Sequence, residues 1–256
     1  MNTFFARTAS GIALVTLAAA CSGDATAPRG TKAVSLSISA RSSLHPAPSL
    51  GTSLSPAGDL IIGTGSTNTV RITAVQVVLA HVQLSRADSC TPGKSDDNCD
   101  ELETAPILVD VPLDTIVKKA VDAQIPIGTY VRLQAELAAL TASGDGASFL
   151  TAHPDFKGIS VRVTGTYTDA AGTAHPFTYT SAVDAELEVV FPKPITVGPA
   201  TSNLTINIDI ASWFQTADGS AIDPTTAANA TVIDANIRKS FHAFEDDHEN
   251  GTDDNR

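Results

Sequence analysis

The residues of this chain best suited to chemistry stand at its acidic end, FEDDHENGTDDN over positions 244–255. Hard divalent cations take oxygen donors from alternate side chains of a short loop, with a glycine permitting the tight bend. Set on Gly251, that spacing offers Asp246, His248 and Asn250 before the bend and Asp254 after it. His248 brings nitrogen where oxygen is wanted, which excludes an EF-hand. A smaller calcium loop remains, with Asp246, Asn250, the carbonyl of Thr252 and Asp254 as ligands, and calcium is the one candidate cofactor. The alternatives are a solvated acidic tail, or a nickel or zinc pair formed by His242 and His248. A second chemical feature is the pair Cys90 and Cys99 in SCTPGKSDDNCD. Pro92, Gly93 and Asn98 are turn formers, so a disulfide could close this short acidic ring and stabilise it by roughly 2 to 3 kcal/mol. A thiolate metal site is disfavoured because no CxxC pair occurs.

Catalytic patterns are missing from the sequence: HExxH, GxSxG and the Walker loop do not occur. GTGSTN at 63–68 and GDGASF at 144–149 lack the last glycine of a dinucleotide fingerprint and read as glycine loops. His153 and Asp155 flank Pro154, and His175 also precedes a proline, which places them in turns. The reading is therefore a protein that is not an enzyme, with an unrecognised extracytoplasmic hydrolase as the third option. Arg132, Gln134 and Glu136 alternate along one strand and share a face, which forms either a polar groove or a wet sheet surface.

The chain opens with MNTFFARTASGIALVTLAAAC, a basic start, a short apolar run and small residues before Cys21. This is the layout of a signal peptide, too short in its apolar part to remain as a membrane span. Ending on a cysteine, it resembles the lipobox of bacterial lipoproteins, and the resemblance implies acylation of Cys21 and a membrane anchor. Leu17 lies four residues before the cysteine, one further than is usual, and Ser22 after it implies sorting to the outer membrane of the envelope. Sixteen basic against 28 acidic residues give a net charge of −12, which excludes a conventional nucleic-acid binder. The charge is local: six acids lie in 88–103 and six more in 245–256, so the rest of the chain taken together is nearly neutral.

Positioning these features falls to strands. Residues 21–32 are small and polar, a tether, and Val34, Leu36 and Ile38 alternate with serines as a first strand. Residues 41–59 carry three prolines and two glycines and read as a loop. From Val70 to Leu84 nearly every even position is apolar, while Val75, Val77 and Leu79 make the middle apolar on both faces, which predicts a central strand bent near Gln76. Further strands are predicted at 107–113, 131–139 and 159–163, and in a hairpin whose arms, 166–168 and 177–180, turn through Asp169 and Gly172. Leu187, Val189 and Phe191 opposite Glu186 and Glu188, and Leu204, Ile206 and Ile208, give two more, with no helix between them. After Asp223-Pro224, which read as a cap and first-turn proline, Ile233, Ile237, Phe241 and Phe244 predict a helix over about 230–243.

VDVPLD at 109–114 and QIPIGTYVRLQAEL at 124–137 resemble a bacterial lipoprotein domain of unknown function. The correspondence runs through Val109 to Leu113, then Pro126, Gly128, Tyr130 and Leu133, and ITAVQVVLAHVQL at 72–84 fits the same family's valine-rich strand. The resemblance implies a β-sandwich at the envelope and carries no activity. Gly128 also has a local reading, a turn position tolerant of positive φ. The expected fold is all-β, an antiparallel β-sandwich of Ig-like or transthyretin-like kind with a C-terminal helix and disordered ends. Its parts are a signal peptide over 1–20, a lipidated tether over 21–32, the sandwich over 33–244 and an acidic tail over 245–256. The expected function is a non-catalytic binding or interaction module, anchored to the membrane through Cys21, with an unknown protein or glycan partner. A calcium-ordered structural protein is the alternative.

Overall fold

The computed structural model describes residues 31–39, 52–54, 58–63, 67–87, 101–113, 118–197 and 203–245. The first elements are β1 (Thr31–Ser39), β2 (Thr52–Leu54), β3 (Leu60–Ile62), β4 (Thr69–Arg86), β5 (Glu101–Glu103), β6 (Ile107–Asp110), β7 (Lys118–Pro126) and β8 (Gly128–Leu137). Then follow α1 (Asp145–Ala152), β9 (Val161–Thr168), β10 (Ala174–Ser181), β11 (Ala185–Val197), β12 (Asn203–Ile208), α2 (Ile210–Trp213), α3 (Ala230–Lys239) and β13 (Phe241–Glu245). The chain is mostly antiparallel sheet, as its alternating patterns predict. One sheet has four strands in the order β13-β12-β1-β7, and its β1–β12 pair is parallel, a departure from the expected antiparallel set. The other is a curled sheet of nine strands gathered around β4.

Strand β4 explains the curl. One of its edges pairs with β9 over Thr69–Val77 and then with β8 over Leu79–Arg86, while β3, β6 and β5 share the other edge. The register shifts between Ile72 and Ala74 against β9, and again between Leu79 and His81 against β8. Each bulge inserts one residue and so moves the inward phase by one. The residues of β4 that enter the main core are accordingly Val70 and Ile72, then Val75, Val77 and Leu79, then Val82 and Leu84. The mixed even and odd pattern in the sequence is the trace of these two bulges. They stand at Thr73 and Ala80, and they replace the single bend expected near Gln76.

The middle of β4 is apolar on both faces because helix α1 covers the second one. Val78 packs with Phe149 and Leu150 of α1 and with Phe156 in a small separate core. Its N–H donates to Ser160 O at 2.8 Å, at the point where the strand's edge passes from β9 to β8. The expectation of a glycine loop at 144–149 with no helix nearby is corrected here. Gly144 opens the helix at φ 54°, and Gly146 sits so near Thr141 that a Cβ would fall 2.3 Å from its carbonyl oxygen. Those glycines serve a helix start and a close contact, both of which resemble a loop pattern in sequence.

The β9–β10 hairpin forms as expected, with Asp169 Oδ1 accepting from the N–H groups of Ala171 and Thr173 and Gly172 at φ 82°. The C-terminal helix is shorter than predicted. Ile233 and Ile237 are fully buried on the core, but Phe241 and Phe244 belong to β13, paired with Ile208 and Thr205 of β12. Ser240 ends the helix: its Oγ donates to Ile237 O at 2.7 Å and accepts Trp213 Nε1–H at 2.6 Å, and its carbonyl accepts the N–H of Asp209. The open sheet edge of β12 is worth more to residues 241–245 than another helical turn, because it satisfies their backbone along a whole strand. Asp223-Pro224 does not cap α3, since Asp223 accepts from Thr225 and Thr226 and the helix begins only at Ala230. Gly128 is not at a positive φ; a Cβ there would stand 2.7 Å from Arg86 Nη2, so its role is to admit a nearly buried guanidinium.

Candidate functional site

The candidate site lies on the outward face of β4, β8 and β11. Alternation puts Leu133, Ala135 and Leu137 of β8 into the core and Arg132, Gln134 and Glu136 on the other side. The register aligns their neighbours in rows across the three strands. His81, Glu136 and Glu186 form one row, and Gln83, Gln134 and Glu188 the next. Directly opposed side chains of this kind stand about 5 Å apart. With Asp184, which precedes β11, these residues surround a groove of about 360 Å3 lined by His81, Gln83, Gln134, Ala135, Glu136, Asp184 and Glu186.

Within the groove His81 Nε2 lies 3.2 Å from Glu136 Oε2. Glu136 and Glu186 are like charges opposed across the β8–β11 ladder, an arrangement that costs stability unless positive charge reaches it. The nearest arginine on the face does not line the groove. Arg132 is largely buried, and its Nε stands 3.1 Å from Glu188 Oε1 as an ion pair, without the alignment of a hydrogen bond. The groove therefore offers carboxylate and amide acceptors, three negative charges and one imidazole. Among the described residues no group of three or more His, Cys, Asp or Glu side chains is placed to hold a metal ion.

A hydrogen-bonded network joins this groove to α3. Asp234 Oδ1 accepts from Tyr179 Oη at 2.8 Å and from Ser181 Oγ at 2.7 Å. Partial burial and the Asp234 carboxylate push the Tyr179 hydroxyl far above its ordinary value, so it stays a donor at any physiological pH. Ser181 Oγ in turn accepts the N–H of Val183, and Ser160 Oγ donates to Val183 O at 2.6 Å. Arg238 of α3 donates from Nε to Asp184 O at 3.1 Å.

The polar groove was readable in part, since Arg132, Gln134 and Glu136 do share a face, although Arg132 is engaged elsewhere. His81, Gln83, Asp184 and Glu186 were missed as groove residues. The polar breaks His81 and Gln83 in an otherwise apolar strand, and the alternation of Glu186 with Glu188, were the available signals. His175 lies in β10, not in a turn, and its Nε2 is 3.0 Å from Asp169 Oδ2, which holds that carboxyl below its usual range. Asp155 pairs with Arg162 Nη1 at 2.7 Å beside His153, a surface contact with Arg162 over the Phe156 ring. Cys21, Cys90, Cys99, His248 and the calcium ligands Asp246, Asn250, Thr252 and Asp254 lie outside the described residues. Among the described residues no helix is long and apolar enough to cross a membrane. In comparisons with known proteins, no family model, no curated protein and no solved structure gives a match to the chain.

Proposed function

We propose that the chain is a lipid-anchored protein of the bacterial envelope, held at the outer membrane through Cys21, whose groove binds a positively charged group of a partner molecule. The observation that carries the binding half is the gathering of Glu136, Asp184 and Glu186 around a concavity whose lining includes no lysine or arginine. An ammonium or guanidinium group bridging Glu136 and Glu186 relieves their opposition and gains charge-assisted hydrogen bonds. Gln83 and Gln134 add neutral donors and acceptors that fix orientation. A glycan fits less well, because no Phe, Tyr or Trp side chain lines the groove to stack on a sugar. The two sheets are taken to face each other as a sandwich, in keeping with the resemblance to a lipoprotein domain of unknown function. The signal-like start and the lipobox support the anchor.

Titration of the full-length chain with tetra-arginine, against neutral maltotetraose, tests the reading at about 0.15 M salt, where weak surface attraction is screened within about 8 Å. Saturable binding that Glu136→Gln with Glu186→Gln weakens about tenfold is expected, with melting temperature nearly unchanged for these exposed groups. Equal affinity of the wild type and this double variant overturns the groove. Labelling with a fatty acid tests the anchor, and unlabelled protein recovered soluble after cell breakage overturns it.

A further inference from the structure

We propose that helix α3 is a positioning element for the groove: through Asp234 and Arg238 it fixes the rim segment 181–184, so that loosening α3 from the sheet lowers the groove's affinity. This inference rests on the groove being a binding site. The rim is a short link between β10 and β11, and Asp184 at its end contributes one of the three groove carboxylates. A link of this kind has no ladder of its own to hold it. Its fixed points are few and specific. On the sheet side, Ser160 N donates to Ser181 O at 2.8 Å and Ser160 Oγ to Val183 O, with Ser160 fully buried. Val183 is itself buried at 2 % exposure and anchors the middle of the link in the main core.

On the other side every fixed point comes from α3. Asp234 Oδ1 accepts the Ser181 hydroxyl while Ser181 Oγ accepts the Val183 N–H, so the carboxylate orients the hydroxyl that shapes the turn. Arg238 stands four residues further along, one helical turn away on the same face, and holds the carbonyl of Asp184. Two adjacent turns of one helix thus grip the first and last residues of the rim. The same helix is seated by Ile233 and Ile237 in the core, by Tyr179 Oη, which also lies 3.3 Å from Ala230 O, and by Ser240, which closes it against Trp213. Since β13 begins at Phe241, directly after Ser240, and pairs with β12, the helix that sets the rim is also tied at its end to the four-stranded sheet. Displacement of α3 is then read at Asp184, and a ligand that holds Asp184 in turn favours the docked helix.

The test uses the full-length chain with four variants and two readouts: amide exchange over residues 182–186, and affinity for tetra-arginine. Asp234→Ala and Arg238→Met each remove one grip; Asp234→Asn keeps an acceptor oxygen and serves as the rescue; Val232→Ala alters an exposed position of α3 that is 50 % accessible and serves as the control. Loss of one charge-assisted bond is expected to speed exchange of the rim about tenfold, relative to unchanged amides in β9, and to weaken the probe about three- to tenfold. Asp234→Asn should recover most of both effects, and Val232→Ala should leave both near wild type. Faster rim exchange with unaltered affinity, in a wild type that binds the probe, overturns the coupling. Rim exchange unchanged in both Asp234→Ala and Arg238→Met overturns the positioning role, whether or not the probe binds. If Asp234→Ala does not fold, Arg238→Met alone decides. A wild type that does not bind tetra-arginine at all, with rim exchange still rising in the variants, removes the groove reading and leaves the grip standing.

Discussion

The two halves of β4 are made of similar residues and do different work. Over Thr69–Val77 the strand lies beside β9, and its inward residues join a core shared with Phe177, Tyr179, Trp213 and Phe214. Phe214 packs there at 6.0 Å from Phe177 and edge-on to Tyr179 at 5.8 Å. Over Leu79–Arg86 the same strand lies beside β8, still buries Val82 and Leu84, but turns His81 and Gln83 outward to the groove. The difference arises from backbone count as much as from composition. A single extra residue, Ala80, decides that Val82 and Leu84 face the core and that His81 and Gln83 do not. One face of a sheet can therefore be kept polar and available by a bulge, without interrupting the strand that stabilises the domain.

The largest effect expected from breaking this contrast is that of inserting one alanine between Val82 and Gln83. Deleting Ala80 would only restore a regular ladder with His81 still opposite Glu136. The insertion instead shifts every later residue of the strand by one position and turns Gln83 toward the main core and Leu84 out of it, so no cooperative thermal transition should survive. A normal melting curve for the insertion variant would show that the strand absorbs the extra residue in a further bulge and that residue count does not set the phase. Next in size is Gly165→Ala in β9, opposite Ile72 in the first half. The new Cβ would fall 2.2 Å from Arg71 O and 2.9 Å from the Phe177 ring, and backbone on a central strand cannot withdraw cheaply. A loss of about 2 to 3 kcal/mol by chemical denaturation is expected. Gly128→Ala, beside the second half, meets only the end of the Arg86 side chain and should cost less, about 1 kcal/mol. A reversed order would mean that Arg86 is the stiffer neighbour.

The smallest effect concerns pH at the first half's outer end. Partial burial raises the Asp223 carboxyl, but hydrogen bonds from Thr225 and Thr226 outweigh it and leave it below the ordinary value. Asp169 is held low by His175 and by the Thr173 and Ala171 N–H groups. Depressed carboxyls contribute stability that is present above the unfolded value, about 3.9, and is lost as pH falls through the folded one. Asp223→Ala should melt about one to two degrees lower than wild type at pH 7, with the gap closing as pH drops below 4. A gap that persists into acid would assign the difference to packing instead of charge.

Much of this molecule was legible beforehand, for local reasons. Alternation in β8, β9 and β12 needs only a one-sided core, and the Asp169 and Gly172 turn is chosen by backbone preference alone. Helical spacing through Ile233 and Ile237 likewise reports one buried stripe. The errors fall where a remote partner overrides the local pattern. Phe241 and Phe244 continue a helical period, yet an open edge of β12 recruits them as a strand. The glycines near 144–149 read as loop because the apolar partner that makes them a helix, Val78, lies in a strand far away in sequence.

Sequence alone determined the strands β4, β8, β9 and β12, the hairpin, the existence of a C-terminal helix and the polar row Arg132, Gln134 and Glu136, because each depends on neighbours within a few residues. Strand β2, inside the stretch 41–59 that reads as a loop, and strands β5 and β7 were not predicted. Tertiary structure alone decided the bulges at Thr73 and Ala80, the cover that α1 lays over Val78, and the meeting of His81, Glu136, Asp184 and Glu186 in one groove. Those outcomes depend on which strands become neighbours and in what register. The competition for backbone hydrogen bonds and buried surface that sets the register is resolved only when the whole chain packs.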